Sequence, residues 1–114
     1  MDAYNANPYS MVEAIKSFAQ SDFENPWLLL GDMFELGEYA SAEHQNIIDR
    51  LIEFDFVNVI LIGEEFNSTK NHNYTKFIST DEVVQFLSSN KIENANILVK
   101  GSRGMKLEKL ISRL

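Results

Sequence analysis

The sequence predicts an α/β domain of three layers, with a mostly parallel sheet and helices on both faces. Three observations predict it. Apolar residues switch repeatedly between helical spacing and short continuous runs. The clear runs each stop at or next to a glycine. And 114 residues, 45% hydrophobic and 24% charged, have the size and composition of one globular domain. Strands alternating with helices in this way specify βαβ units, whose crossovers lay helices on both sides of a buried sheet.

Residues 10–19 carry Met11, Ala14, Ile15 and Phe18, the i, i+3, i+4, i+7 spacing of a helix with one buried face. Pro8 suits its first turn, and Asn7 or Ser10 can cap it. Asn25-Pro26 breaks the chain before Trp27-Leu28-Leu29-Leu30, a continuous apolar run read as a buried strand and stopped by Gly31. After the loop GDMFELGEY, Ser41 is placed to cap a second helix reaching about Phe54, with Ile47, Ile48, Leu51 and Ile52 on one stripe. Residues 57–62 (VNVILI) are the clearest strand, ended by Gly63, and residues 74–78 a weaker one. Ser79 and Glu82 have the spacing of a capping box before a helix carrying Val83, Val84 and Leu87. Residues 97–99 (ILV) form another buried strand, ended by Lys100-Gly101. Met105, Leu107, Leu110, Ile111 and Leu114 predict a terminal helix. The Asn-rich residues 67–73 read as an exposed loop, and the aromatic residues as core. A sheet of this type ordinarily opens with a strand, which here can only be residues 1–4 unless the chain begins inside a larger protein.

Composition narrows the function. Ten Lys and Arg against 17 Asp and Glu give a net charge of −7, which disfavours nucleic acid as a partner because phosphate neutralisation needs a basic face. No apolar run approaches the ~20 residues that span a bilayer. The first ten residues lack the basic and apolar regions of a signal peptide. With no cysteine, disulfides, thiolate zinc sites and thiol nucleophiles are all excluded. The expectation is a cytoplasmic domain without membrane or nucleic-acid partners.

In open parallel sheets ligands bind outside the carboxyl ends of the strands. Residues 2–8 (DAYNANP) hold an Asp that can accept from a ribose diol and Asn amides that both donate and accept, though Asx residues also simply start helices. Residues 100–104 (KGSRG) set two cations and two glycines at a turn after a strand, where backbone N–H groups and charge favour an anion. The pattern matches neither a P-loop nor GxGxxG. Clustering Lys100, Arg103 and Lys106 in so acidic a chain runs against its overall field. Asp32 and Glu35, after the first clear strand, could bind a metal or act as a base but read better as solvated loop acids. His44 and His72 lie in different segments with no third ligand at metal spacing, so no metal site is expected.

Three segments taken together, DAYNANPYSM, LGDMFELGEYASAEH and LVKGSRGMKLEKLI, resemble the C-terminal domain of the Mur ligases, in order and over nearly the whole chain. The specific resemblance is to members that add D-alanyl-D-alanine to UDP-N-acetylmuramoyl-tripeptide in peptidoglycan synthesis. It implies a Rossmann-like fold and a single domain over residues 1–114, one of three in a larger enzyme. The central ATPase domain of such an enzyme binds most of the ATP and Mg²⁺. ATP phosphorylates the precursor's terminal carboxylate, and the amine of the incoming dipeptide attacks the acyl phosphate. The C-terminal domain closes over the central one. By this resemblance Asp2, Asn5 and Asn7 are nucleotide contacts, and Lys100, Ser102 and Arg103 bind the dipeptide carboxylate or a phosphate. No catalytic residue is expected in this domain alone, and the isolated chain should not ligate. Two other readings are a stand-alone nucleotide-binding module and a phospho-acceptor receiver. The receiver is opposed by Gly63-Glu64-Glu65, which puts no Asp at the end of that strand.

Overall fold

A computed structural model describes residues 6–114. The elements are α1 (Pro8–Gln20), β1 (Pro26–Gly31), α2 (Ala40–Glu53), β2 (Val59–Ile62), α3 (Glu64–Asn67), β3 (Thr75–Phe77), α4 (Thr80–Ser89) and β4 (Asn96–Lys100), with 3₁₀ turns at Gly37–Tyr39, Arg103–Met105 and Leu107–Arg113. Among the described residues the four strands are all parallel, in the order β3-β2-β1-β4. The predicted α/β class and parallel sheet hold. The expected opening strand at 1–4 lies outside the described residues.

Strand alternation sorts the core into two layers. Leu28, Leu30, Val59 and Leu61 face α1 and α2 and pack with Met11, Ile15, Ile47, Ile48 and Leu51. Leu29, Ile60 and Ile62 face the other way and pack with Val83 and Leu87 of α4 and with Leu107 and Leu110. Register fixes the pairing: Leu28 lies beside Val59, Leu29 beside Ile60 and Leu30 beside Leu61.

Local signals act as read where they are local. Asn7 caps α1: its Oδ1 accepts from Ser10 N–H at 2.9 Å while the Ser10 hydroxyl accepts from Asn7 N–H at 3.1 Å. Ser79 and Glu82 form the capping box of α4. Four expectations need correction. Ser41 does not cap α2, because the 3₁₀ turn at Gly37–Tyr39 runs straight into that helix. Ile52 leaves the α2 stripe and is about half exposed. Not all aromatic residues are core, since Tyr9, Phe34 and Tyr39 are exposed. And the terminal helix is two 3₁₀ turns, broken where Lys106 takes a left-handed φ of 56°. With three residues per turn, Leu107 and Leu110 point inward together and Ile111 swings out to 50% exposure.

Chain direction is what positions the site. From β1 the sheet grows through β2 to β3, and the chain then crosses back to lay β4 on the opposite flank of β1. The loops leaving β1 and β4 therefore diverge at the carboxyl edge. That is the switch point at which open parallel sheets form a crevice.

Candidate functional site

The β1 and β4 carboxyl ends meet at close quarters. Gly101 packs so tightly that a Cβ there would lie 2.9 Å from Gly31 Cα and 2.7 Å from Leu107 Cδ1. Ser102 N–H donates to Asp32 C=O at 3.0 Å, which ties the two departing loops together. The Ser102 hydroxyl accepts from Phe34 N–H at 2.7 Å and faces the Ala6 carbonyl at 3.4 Å. Ser102 is thus the junction of three segments far apart in sequence, and it is buried.

The predicted site residues divide. Asp2 and Asn5 lie outside the described residues. Asn7 is exposed at the start of α1 with its Oδ1 committed to the helix cap, which leaves its amide N–H₂ for a ligand. The contact of Ser102 with Ala6 brings the beginning of α1 to the 100–104 loop. Arg103 follows at the surface, opening a 3₁₀ turn. Lys100 is 8% exposed, and among the described residues its ammonium makes no hydrogen bond and no ion pair. Alternation along β4 sets it on the face of Leu98, the side covered by α1 and α2. With its stem enclosed and its ammonium unpaired among the described residues, Lys100 can receive an anion at the carboxyl edge.

The other side of the crevice is acidic. A cleft of about 360 Å³ is lined by Asp32, Glu35, Glu64 and Glu65 together with Met33, Phe34 and Leu36. Here one expectation is overturned. Asp32 is no solvated loop acid: it is 4% exposed, and its two oxygens accept from Glu65 N–H at 2.9 Å and Phe66 N–H at 3.0 Å. A carboxylate is well matched to the first N–H groups of a helix, which have no partner within it. Gly63 makes this approach possible. Its φ of 123° is closed to other residues, and a Cβ there would fall 2.2 Å from Asp32 Cγ.

His44, which in the sequence offers only a lone candidate metal ligand, has a structural place instead. It is fully buried, with Nε2 accepting from Met33 N–H at 3.0 Å and Nδ1 2.7 Å from Ala40 C=O. Those partners require the tautomer with its proton on Nδ1. The ring stands edge-on to Phe66, centroids 4.7 Å apart, and Nε2 lies 3.9 Å from Asp32 Oδ1. Phase was the available signal: residue 44 precedes Ile47, Ile48 and Leu51 by three, four and seven positions, so it shares their buried stripe.

Comparison with known proteins identifies the family and the fold. The family described as "Mur ligase, glutamate ligase domain" matches residues 1–103. The UDP-N-acetylmuramoyl-tripeptide–D-alanyl-D-alanine ligase of Buchnera aphidicola (subspecies Acyrthosiphon pisum) is 35% identical over 99% of this chain and 26% of its own length. The enzyme of the same name from Rickettsia prowazekii is 29% identical over 96% of this chain and 26% of its own. Among solved structures, MurF from Acinetobacter baumannii superposes with a TM-score of 0.75 at 26% identity, over 97% of this chain and 26% of that one. MurF from Thermotoga maritima, in complex with ADP, shares the fold with a TM-score of 0.76 at 23% identity, over 98% of this chain and 26% of that one. The chain spans about a quarter of the length of these relatives. No helix among the described residues is long and apolar enough to cross a membrane. On sequence and fold, the chain belongs to the Mur ligase family, as its C-terminal, glutamate ligase domain.

Proposed function

We propose that this domain serves an ATP-dependent ligase that joins D-alanyl-D-alanine to UDP-N-acetylmuramoyl-tripeptide in the cytoplasm. The observation that carries the reading is Lys100: a largely enclosed side chain at the sheet's switch point whose ammonium has no partner among the described residues, three residues from Arg103, in a chain of net charge −7. The names of the relatives supply the substrate class.

The division of charge suits a zwitterionic dipeptide. Lys100 and Arg103 stand on the β4 side and receive its carboxylate, with Ser102 holding their loop in place. Glu35, Glu64 and Glu65 stand on the β1 and β2 side, toward which the amine is drawn. Arg103 can grip a carboxylate through two parallel N–H donors. Asp2, Asn5 and the free amide of Asn7 form the nucleotide side. The central ATPase domain of the same protein is the partner that holds most of the ATP and Mg²⁺, whose chemistry is to activate the tripeptide carboxylate by phosphorylation. This domain's own work is to bind and orient the incoming dipeptide.

The test is in the full-length ligase. Arg103→Ala should remove a charge-assisted hydrogen bond worth roughly 1.5–3 kcal/mol, lowering kcat/KM for the dipeptide ~10- to 150-fold. Arg103→Lys should recover only part, since the planar fork is lost. An Arg103→Ala enzyme with unchanged turnover and dipeptide KM overturns the assignment.

A further inference from the structure

Every backbone N–H of residues 32–34 is held from outside its own loop. Asp32 N–H donates to Ile62 C=O at 3.0 Å, Met33 N–H to His44 Nε2 at 3.0 Å and Phe34 N–H to Ser102 Oγ at 2.7 Å. The middle bond differs from the others in kind, because its acceptor is a side chain on a helix. His44 is itself oriented by the Ala40 carbonyl one turn earlier in α2, so the imidazole is a rigid strut between α2 and residues 32–34, the strap that leaves β1.

Beside the bond from Ser102 N–H to Asp32 C=O, residue 34 meets the 100–104 loop twice. Its N–H engages Ser102, and its ring lies against Gly104, where a Cβ would come 2.4 Å from Phe34 Cε2. Ser102 and Gly104 are the two neighbours of Arg103. Fixing residue 34 therefore fixes both ends of the short span that carries the guanidinium. His44 holds the Met33 N–H, in the peptide between residues 32 and 33, one residue before Phe34.

Building on the dipeptide-binding role proposed above, we infer that His44 is a positioning residue: it acts through the Met33 peptide and Phe34 to set the placement of Arg103 at the rim. It touches no substrate. Its function requires an unprotonated acceptor at the ε position and nothing else that is specific to histidine. Glutamine meets that requirement, since its Oε1 stands the same number of bonds from Cβ as Nε2 does. Phenylalanine keeps a ring against Phe66 and loses the acceptor.

Two measurements test this separately from the dipeptide reading. The first uses the 114-residue chain, by ¹⁵N NMR. Wild type should show His44 protonated at Nδ1 and bare at Nε2. His44→Phe should shift the amide resonances of Phe34, Ser102 and Arg103, and His44→Gln should leave them near their wild-type positions. A wild-type ring protonated at Nε2, or a folded His44→Phe with those three amides unmoved, overturns the inference whatever the substrate. If His44→Phe does not fold, His44→Gln and the wild-type tautomer still decide it. The second uses the full-length ligase. His44→Phe should raise the dipeptide KM about tenfold, the scale of one net hydrogen bond, with the KM for ATP within about twofold of wild type. His44→Gln should restore most of the dipeptide KM even where its thermal midpoint is as low as that of His44→Phe. If the dipeptide KM simply follows the midpoint in both variants, His44 is a packing residue and the inference fails. If the wild-type ligase does not accept the dipeptide, the substrate reading fails and the NMR result stands on its own.

Discussion

The two histidines of this domain make the same number of hydrogen bonds in opposite ways. His44 donates from Nδ1 to Ala40 C=O and accepts at Nε2 from Met33 N–H. His72 accepts at Nδ1 from Tyr74 N–H at 3.1 Å, and its Nε2 lies 2.8 Å from Thr69 Oγ1. Because the Thr69 hydroxyl spends its proton on Phe66 C=O, His72 must donate from Nε2. Each ring therefore has one donor and one acceptor, with the tautomers reversed. Surroundings are what separate them. His44 is sealed beneath the switch point among Asp32, Phe66 and the strap. His72 is half-buried in the mostly exposed loop that leads to edge strand β3. Similar local chemistry becomes a shared support for several loops in one place and a fastening within one loop in the other.

If that contrast is correct, disturbing the sealed junction should cost far more than disturbing the β3 loop. The largest effect expected is for Gly63→Ala. Backbone at φ 123° and ψ 166° is essentially restricted to glycine, and the new methyl meets the Asp32 carboxyl. Strain and collision together should cost about 3 kcal/mol or more, measured as a shift in the urea midpoint at constant slope. A loss below about 1 kcal/mol would mean that the junction yields easily and that the contrast is false. Next is Asp32→Asn, which turns one acceptor into a donor facing the N–H groups of α3. Leaving one of those buried groups unpaired should cost about 1–3 kcal/mol. Thermal unfolding checks it, and hydrogen exchange of the Glu65 and Phe66 amides shows whether the damage is confined to α3.

What the sequence made legible follows the same division. Asn7 with Ser10, and Ser79 with Glu82, act across three residues, so their roles could be read directly from spacing. The runs LLL and VILI had to be buried, which specified β1, β2 and the parallel sheet. By contrast α3 was unreadable, because a carboxylate more than thirty positions away organises its first turn. Asp32 was misread for the same reason: nothing nearby in sequence reveals what will be folded against it. Lys100 was legible as a cation at a strand end but not as a buried one, since its enclosure depends on helices laid down elsewhere in the chain. The role of Ser102 as a junction likewise exists only after three distant segments have met.

The smallest effect expected concerns the half-buried member of the pair. Burial, and after it the charge of Lys76, lower the pKa of His72 from its ordinary 6.5. The sign follows from proton counting. Above about pH 6.5 the ring is neutral in the folded and unfolded chain alike, and the full stability is present. As the pH falls through that value the unfolded chain takes up the proton first, so stability declines; the decline stops once the pH is below the lowered folded-state pKa. Solvent reaching a ring that is only partly buried keeps the effect small. His72→Asn isolates it, because the Asn Oδ1 can accept from Tyr74 N–H without titrating. Urea unfolding of both proteins at pH 7.5 and 5.5 should show wild type losing more stability than the variant over that interval, while carboxylates common to both cancel in the difference. An equal or steeper loss in His72→Asn would show that the β3 loop does not sense protonation, and that the acid sensitivity of the domain arises elsewhere.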